Sequence, residues 1–371
     1  MLDQKVIIQE LCSRAGITLD GPNPWDLQVK DERFYGRLLR DKTLGLGEAY
    51  MDGLWDCERL DELIYRAMKA HLDENIPGEV RFILPYMATL LFNPQSRNRA
   101  GQVAEQHYDL GNDLFLSFLD PYNQYSCAYF NGTDDLSEAQ QNKLKLICRK
   151  INLQPQDRLL DIGCGWGGLA RYAAEHCGCS VTGISISSEQ VRFAQDYCKN
   201  LPVSILSCEY RDLQGTFDKI VSVGMFEHVG QKNYRTFMEV VSRSLKDGGI
   251  FLLQTIGSNV SDIHGDPWIH KYIFPNGMLP SLAQIGKAAE GLFVIEDCHN
   301  LGPHYDRTLM HWHDNFQKAW GKLSKQYDRR FKRMWEFYLL SCAGAFRARR
   351  IQLWQLVFTK NAAAQPLCRL T

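Results

Sequence analysis

Apolar positions along the chain change rhythm near residue 156. The opening stretch, MLDQKVIIQELCSRAG, spaces its apolar residues as an amphipathic helix does. DERFYGRLLRDKTLGLGEAYMDGLWD follows, with Leu44-Gly45-Leu46-Gly47 expected to form a turn. NPQSRNRAG, from Asn93 to Gly101, is polar, basic and rich in turn formers, as a linker is. After Gln156 short apolar runs alternate with helical patterns. RLLDIG, CSVTGISI, VSILSCEY, FDKIVSVGM and GIFLLQTIG read as strands. GGLARYAAEHC, SSEQVRFAQDYCKN with a serine N-cap, and a segment from about Asn233 read as helices. IQLWQLVFTK alternates like a terminal strand. This order predicts an α/β fold, a parallel sheet with helices on both faces. The expected organisation is an N-terminal unit over 1–92, a linker over 93–106 and a second domain over 107–371.

Composition narrows the function. The chain has 371 residues, 45% hydrophobic and 23% charged, enough for a large core and two domains. Its formal net charge is −1, so no global field attracts nucleic acid, and no nucleic-acid partner is expected. The N-terminus does not read as a signal peptide, and no run approaches the ~20 apolar residues of a membrane span. Twelve cysteines are scattered without a C-x-x-C pair, which fits reduced thiols in a bacterial-type cytosol. Cys177 and Cys179 beside His176 lack a second ligand pair for zinc, and His311 and His313 read as surface or packing residues.

LLDIGCGWGGLARYA, Leu159 to Ala173, places glycines between a strand and a helix. Small residues admit a ligand to the backbone, and a helix N-terminus offers unpaired N–H groups. Gly163, Gly165 and Gly168 meet the dinucleotide spacing, but the second strand ends in Ser185 rather than an acid. Asp161 before the first glycine suits S-adenosylmethionine, which has no pyrophosphate and carries an amino group.

Together DIGCGWGG, VGMFEHVG, HYDLGNDLF, YSCAYF, KYIFPNG and CAGAFRAR resemble the cyclopropane-fatty-acyl-phospholipid synthases, relatives of the mycolic acid cyclopropane synthases. The resemblance extends to GLGEAYMDGLW and covers nearly the whole chain. It implies a class I S-adenosylmethionine-dependent methyltransferase with a doubly wound, mostly parallel seven-stranded sheet and a smaller, mainly helical N-terminal domain. It also implies transfer of a methylene to the cis double bond of an acyl chain in a membrane phospholipid. A related methyltransferase making a methyl-branched or other lipid or small-molecule product is the alternative.

An alkene attacked by a sulfonium methyl becomes a carbocation, which aromatic faces such as Tyr125, Tyr129, Phe130 and Tyr305 can shelter. A base must then remove a proton. The resemblance attributes that to a bound bicarbonate held by Cys127, Glu227, Gln254, Ile256 and Tyr305. Relatives can carry His where this chain has Gln254, and Gln donates a hydrogen bond but cannot take a proton. Ile256 contributes its backbone. Cys342 invites a nucleophile label, but the reaction needs no covalent enzyme intermediate, so packing is favoured. For the cofactor the resemblance adds Tyr125, Ser126, Gly163, Gly165, Ser185, Gln190, Tyr210 and Arg211 to Asp161. Tyr210 has a competing reading as an edge-strand aromatic, Asp212 as a helix cap, and His107 as a residue that only orients its segment. The implied substrate lies in a bilayer, so the resemblance implies a lipid-docking role for the 1–92 unit, a catalytic role for the 107–371 domain and peripheral contact with the inner face of a bacterial membrane; it also implies a homodimer. Phe82–Phe92 with Arg81, Arg97 and Arg99 reads equally as a docking helix or a core helix. A second basic cluster holds Arg329, Arg330, Lys332, Arg333, Arg347, Arg349 and Arg350.

Overall fold

The structure is a computed structural model that describes residues 4–72, 111–261, 265–360 and 364–368. The proposed docking segment and linker, and His107, lie outside these residues. In chain order the helices are α1 (Gln4–Ser13), α2 (Arg33–Met51), α3 (Leu60–Lys69), α4 (Asn112–Leu116), α5 (Leu136–Lys150) and α6 (Gly168–Cys177). They continue with α7 (Ser188–Tyr197), α8 (Tyr234–Ser244), α9 (Pro267–Tyr272), α10 (Leu282–Ala289), α11 (Gly302–Leu323) and α12 (Arg329–Arg347). A short ribbon pairs β1 (Gln28–Val29) with β2 (Trp55–Asp56). The main sheet comprises β3 (Arg158–Ile162), β4 (Ser180–Ser185), β5 (Val203–Ser207), β6 (Phe217–Val223), β7 (Leu245–Ser258), β8 (Val294–Asn300) and β9 (Ile351–Thr359).

The chain forms two compact units, and neither is contiguous in sequence. One joins residues 1–93 to 265–275 and 305–351; the other joins 94–264 to 276–304 and 352–371. The expected 107–371 block is thus divided, because α9, α12 and most of α11 pack with the N-terminal helices.

The helical unit closes around aromatic rings. Phe34, Trp55, Trp268, Trp312 and Trp335 are fully or almost fully buried. Leu44–Gly47 is not a turn but part of α2, which bends at Lys42 (φ 51°). Its glycines serve close packing. A Cβ on Gly45 would stand 2.3 Å from the Arg37 carbonyl oxygen, and one on Gly47 would stand 2.4 Å from Trp268. Three arginines of the second basic cluster are engaged inside this unit. Arg333 donates to the carbonyls of Tyr50 and Trp55, Arg330 to Asp52, and Arg347 to Asp61 and Asp306.

The other unit carries the seven-stranded sheet, in order β5-β4-β3-β6-β7-β9-β8. The strands from β5 to β7 run parallel, and β8 pairs antiparallel to β9. Two apolar layers cover it. One is built on Phe226, Phe237, Phe251 and Phe358, the other on Leu144, Leu169, Val181 and Leu252. Ser187 caps α7 by accepting from the Gln190 amide, as the serine pattern predicts.

Gly47→Ala should gain about 1 kcal/mol of helix propensity but lose more, ~1–3 kcal/mol, by forcing a methyl into the Trp268 ring. The expected outcome is net destabilisation in denaturant unfolding; an equal or higher midpoint would overturn this account of the glycine.

Candidate active site

The site grows from the carboxyl ends of β3, β4, β6 and β7, where a doubly wound sheet binds ligands. Asp161 lies inside β3, in register with Gly183 on one side and Val221 on the other. It is 2% exposed, and its Oδ2 has no hydrogen-bond partner. Burial pushes its carboxyl up to about 7, with the Lys143 ammonium opposing.

The turn after β3 requires its glycines individually. Gly163, Gly165 and Gly167 have φ of 84°, 55° and 81°, a region that disfavours side chains. A Cβ on Gly163 would meet Met225 at 2.7 Å, and one on Gly168 would stand 1.7 Å from the Tyr122 carbonyl oxygen. A Cβ on Gly165 would meet nothing within 4 Å. That open ground at the end of the central strand, beside an unpaired buried carboxylate oxygen, fits a cofactor bearing an ammonium. After β4, Ser185 donates to Gln190 at 3.1 Å, and both are buried. After β5, the Tyr210 ring packs edge-on to Phe237 in the core while Arg211 donates to its hydroxyl at 3.0 Å. Glu209, not Asp212, caps this turn, accepting from the Arg211 amide.

Residues 120–127 lie over the glycine turn. The Tyr125 ring meets Phe115, Phe118 and Trp166 edge-on, and Trp166 donates to Asn112 at 2.9 Å. Ser126 accepts from Lys143 at 3.0 Å. Cys127 is fully buried, with its thiol against the Ala128 and Leu301 carbonyls. The Phe130 amide donates to His304, whose ring also meets Tyr129.

Beyond β6, a short turn over Phe226–His228 presents Glu227. Its Oε1 accepts from the Ile256 amide at 2.6 Å, and its buried Oε2 has no hydrogen-bond partner. Burial pushes the carboxyl up to about 7. Two residues back on β7, Gln254 is 1% exposed; its Oε1 accepts from Gln355 Nε2 at 2.9 Å, leaving Gln254 Nε2 buried and unpartnered. The unit therefore brings Glu227, Gln254 and Ile256 together through adjacent strand ends. Tyr305 and Cys342 belong to the helical unit. The Tyr305 ring packs against Phe346 and Trp312. Burial raises the Cys342 thiol to about 12, which keeps it protonated and consistent with packing.

Two residues escaped the sequence reading. Gln355 looks like an ordinary alternating position of β9, and Lys143 like a charged position on α5. Both are 0% exposed. The spacing of AQQNK, which sets Gln140 and Lys143 one turn apart beside the buried Ala139, was the available signal for the second.

The fold, together with the relatives it matches, makes this an S-adenosylmethionine-dependent methyltransferase. Residues 95–356 match the family model for mycolic acid cyclopropane synthetase. The chain is 54% identical to a cyclopropane-fatty-acyl-phospholipid synthase from Escherichia coli K12, over 96% of this chain and 93% of that protein. It is 33% identical to a probable fatty acid methyltransferase from Pseudomonas putida, covering 92% and 89%. Among solved structures it resembles the cyclopropane synthase MmaA2 from Mycobacterium tuberculosis, at 30% identity and TM-score 0.66, covering 70% of this chain and 98% of that one. It matches mycolic acid cyclopropane synthase CmaA1 complexed with SAH and CTAB equally well, at 33% identity and TM-score 0.66, with the same coverage. The chain belongs to the mycolic acid cyclopropane synthetase family.

Glu227 generates a stability prediction. Its folded pKa lies above the ordinary 4.5, so its contribution is complete below pH ~4.5 and is lost as pH rises through about 7. Glu227→Gln keeps the acceptor for Ile256 and removes this loss. The variant should unfold later than the native chain at pH 8, by on the order of 3 kcal/mol, and nearly match it at pH 4.5. Calorimetric melts at the two pH values decide; an equal difference at both would contradict the burial account.

Proposed function

We propose that this enzyme transfers a methylene from S-adenosylmethionine to the cis double bond of unsaturated acyl chains in membrane phospholipids, giving cyclopropane fatty acids, with a bound bicarbonate as base. The observation that carries the second part is the pairing of unsatisfied groups beside Ile256: a buried acceptor on Glu227 Oε2 and a buried donor on Gln254 Nε2. Buried polar groups without partners are rare in folded proteins. Bicarbonate suits both, because its O–H donates to a carboxylate and its oxygens accept from an amide. Simple repulsion between Glu227 and an anion is relieved by that proton. With Gln at 254, the side chain holds the anion without taking a proton, so the base is the ion itself.

When bound, S-adenosylmethionine supplies an electrophilic methyl group. The alkene would take that methyl by its electron pair, and the proton lost on ring closure would pass to the bicarbonate. Glu227 and Gln254 orient the proton acceptor, Ile256 fixes Glu227, and the resemblance adds Cys127 to the holders. The aromatic residues near YSCAYF shelter positive charge. Similarity to the phospholipid-named relative from Escherichia coli supports the substrate class. A bilayer substrate supports peripheral binding at the inner face of a bacterial membrane, and no helix among the described residues is long and apolar enough to cross one. A homodimer belongs to the same reading.

Labelled S-adenosylmethionine and vesicles of unsaturated phospholipid test the product. Cyclopropane lipid is expected; methyl-branched product alone would favour the alternative. Enzyme depleted of bicarbonate should lose at least tenfold in turnover and regain it on addition, and no response would remove the anion from the mechanism. Glu227→Gln should lower kcat at least tenfold with S-adenosylmethionine affinity within about threefold of the native value. Loss confined to cofactor binding would move Glu227 out of the anion site.

A further inference from the structure

Gln355 is an amide where hydrocarbon would serve the fold. It lies on β9, between β7 and β8, and is fully buried. Its neighbours along the strand fill the apolar layers, Trp354 and Leu356 on one face and Val357 on the other. A buried amide costs free energy unless its hydrogen bonds are made, whereas an apolar side chain of similar size packs there without that cost.

Gln254 is the same anomaly on β7. It is 1% exposed and follows Leu252 and Leu253, both fully buried. Its main chain is fixed independently, since its carbonyl accepts from the Gly224 amide at 2.9 Å. What remains to be set is the direction of its side chain. One bond does this: Gln355 Nε2 donates to Gln254 Oε1 at 2.9 Å. The outer ends of the pair, Gln254 Nε2 and Gln355 Oε1, are buried and have no hydrogen-bond partner. A pair kept only for stability would be satisfied at both ends or replaced by hydrocarbon.

The two ends of a glutamine amide are close in size but opposite in hydrogen bonding: the oxygen accepts and the NH2 donates. Shape alone does not choose between them. The donor from Gln355 does, because it occupies the oxygen of Gln254 and leaves the NH2 for what lies beyond. An anion requires that NH2, and a reversed amide would meet it with an oxygen.

We propose that Gln355 is a positioning residue of the anion site, its donated hydrogen bond setting the Gln254 side chain so that the NH2 end, rather than the oxygen, faces the bicarbonate. The inference rests on the reading of Glu227 and Gln254 as holders of that ion. Gln355 acts through Gln254 and not on the reacting atoms.

The full chain with S-adenosylhomocysteine bound, in buffer freed of carbon dioxide, is titrated with 13C-labelled bicarbonate, and binding is followed by broadening of the 13C signal. Gln355→Met, which fills the space and removes the donor, should raise the half-saturating bicarbonate concentration at least tenfold. Affinity for S-adenosylhomocysteine, measured by calorimetry, should stay within about threefold of the native value. Turnover should fall at low bicarbonate and return to within about threefold of native at saturation. With Gln254→Leu in place, where no amide remains to be set, Gln355→Met should change turnover less than threefold. Gln355→Leu replaces the Met variant if thermal melts show the latter unfolded. An unchanged bicarbonate requirement, or an equal loss in the Gln254→Leu background, would overturn the role of Gln355. A loss of turnover that saturating bicarbonate does not restore would reduce it to a structural brace. A native chain that neither binds bicarbonate nor responds to it would instead overturn the anion reading, and this inference with it.

Discussion

The glycine turn after β3 depends on one steric fact: where Gly168 would carry a side chain, the Tyr122 carbonyl already stands, 1.7 Å from the Cβ position. Interiors are packed to crystal-like density and do not yield ångströms of space. The 120–127 segment and the start of α6 therefore meet at backbone distance, which brings Tyr125 against Trp166 and Ser126 over α5. Asp120 holds the same segment through backbone amides, with a buried carboxylate in place of a secondary-structure ladder. The glycine run thus has two roles. Gly165 leaves ground for a ligand, while Gly163 and Gly168 allow protein to approach protein.

The sheet was legible in the sequence because its signals are local. Period-two and all-apolar runs, a serine cap and glycine turns each act within a few residues, and β3 to β7 fall where they predict. The errors came from long-range contacts. Leu-Gly-Leu-Gly has turn composition, yet Trp268, more than two hundred positions away, fills the space a side chain at Gly47 would need. The division of residues 265–351 between units was equally hidden, because it depends on which apolar faces meet rather than on composition.

Residue types and spacing marked Asp161 and the glycines, the family resemblance marked Glu227 and Gln254, and the sheet carries all of them to one set of strand ends. The buried partners behind them stayed invisible. Lys143 and Gln355 are polar residues at positions where polarity normally signals solvent, and only burial shows otherwise. Arginines raise the same difficulty in reverse. Arg333 looks like part of a basic face, but it stacks 3.8 Å over the Tyr50 ring and is buried.

The position of β9 has a consequence for how the protein is made. This strand, residues 351–359, lies between β7 and β8, so the fifty residues 301–350 emerge from the ribosome after β8 before its neighbour arrives. Until then β7 and β8 each offer a bare edge, the kind of surface on which chains pair wrongly. The amide that turns Gln254 sits on the same late strand. The nascent chain accordingly cannot complete this end of the sheet early: closure between β7 and β8 and the hydrogen bond from Gln355 to Gln254 both wait for β9.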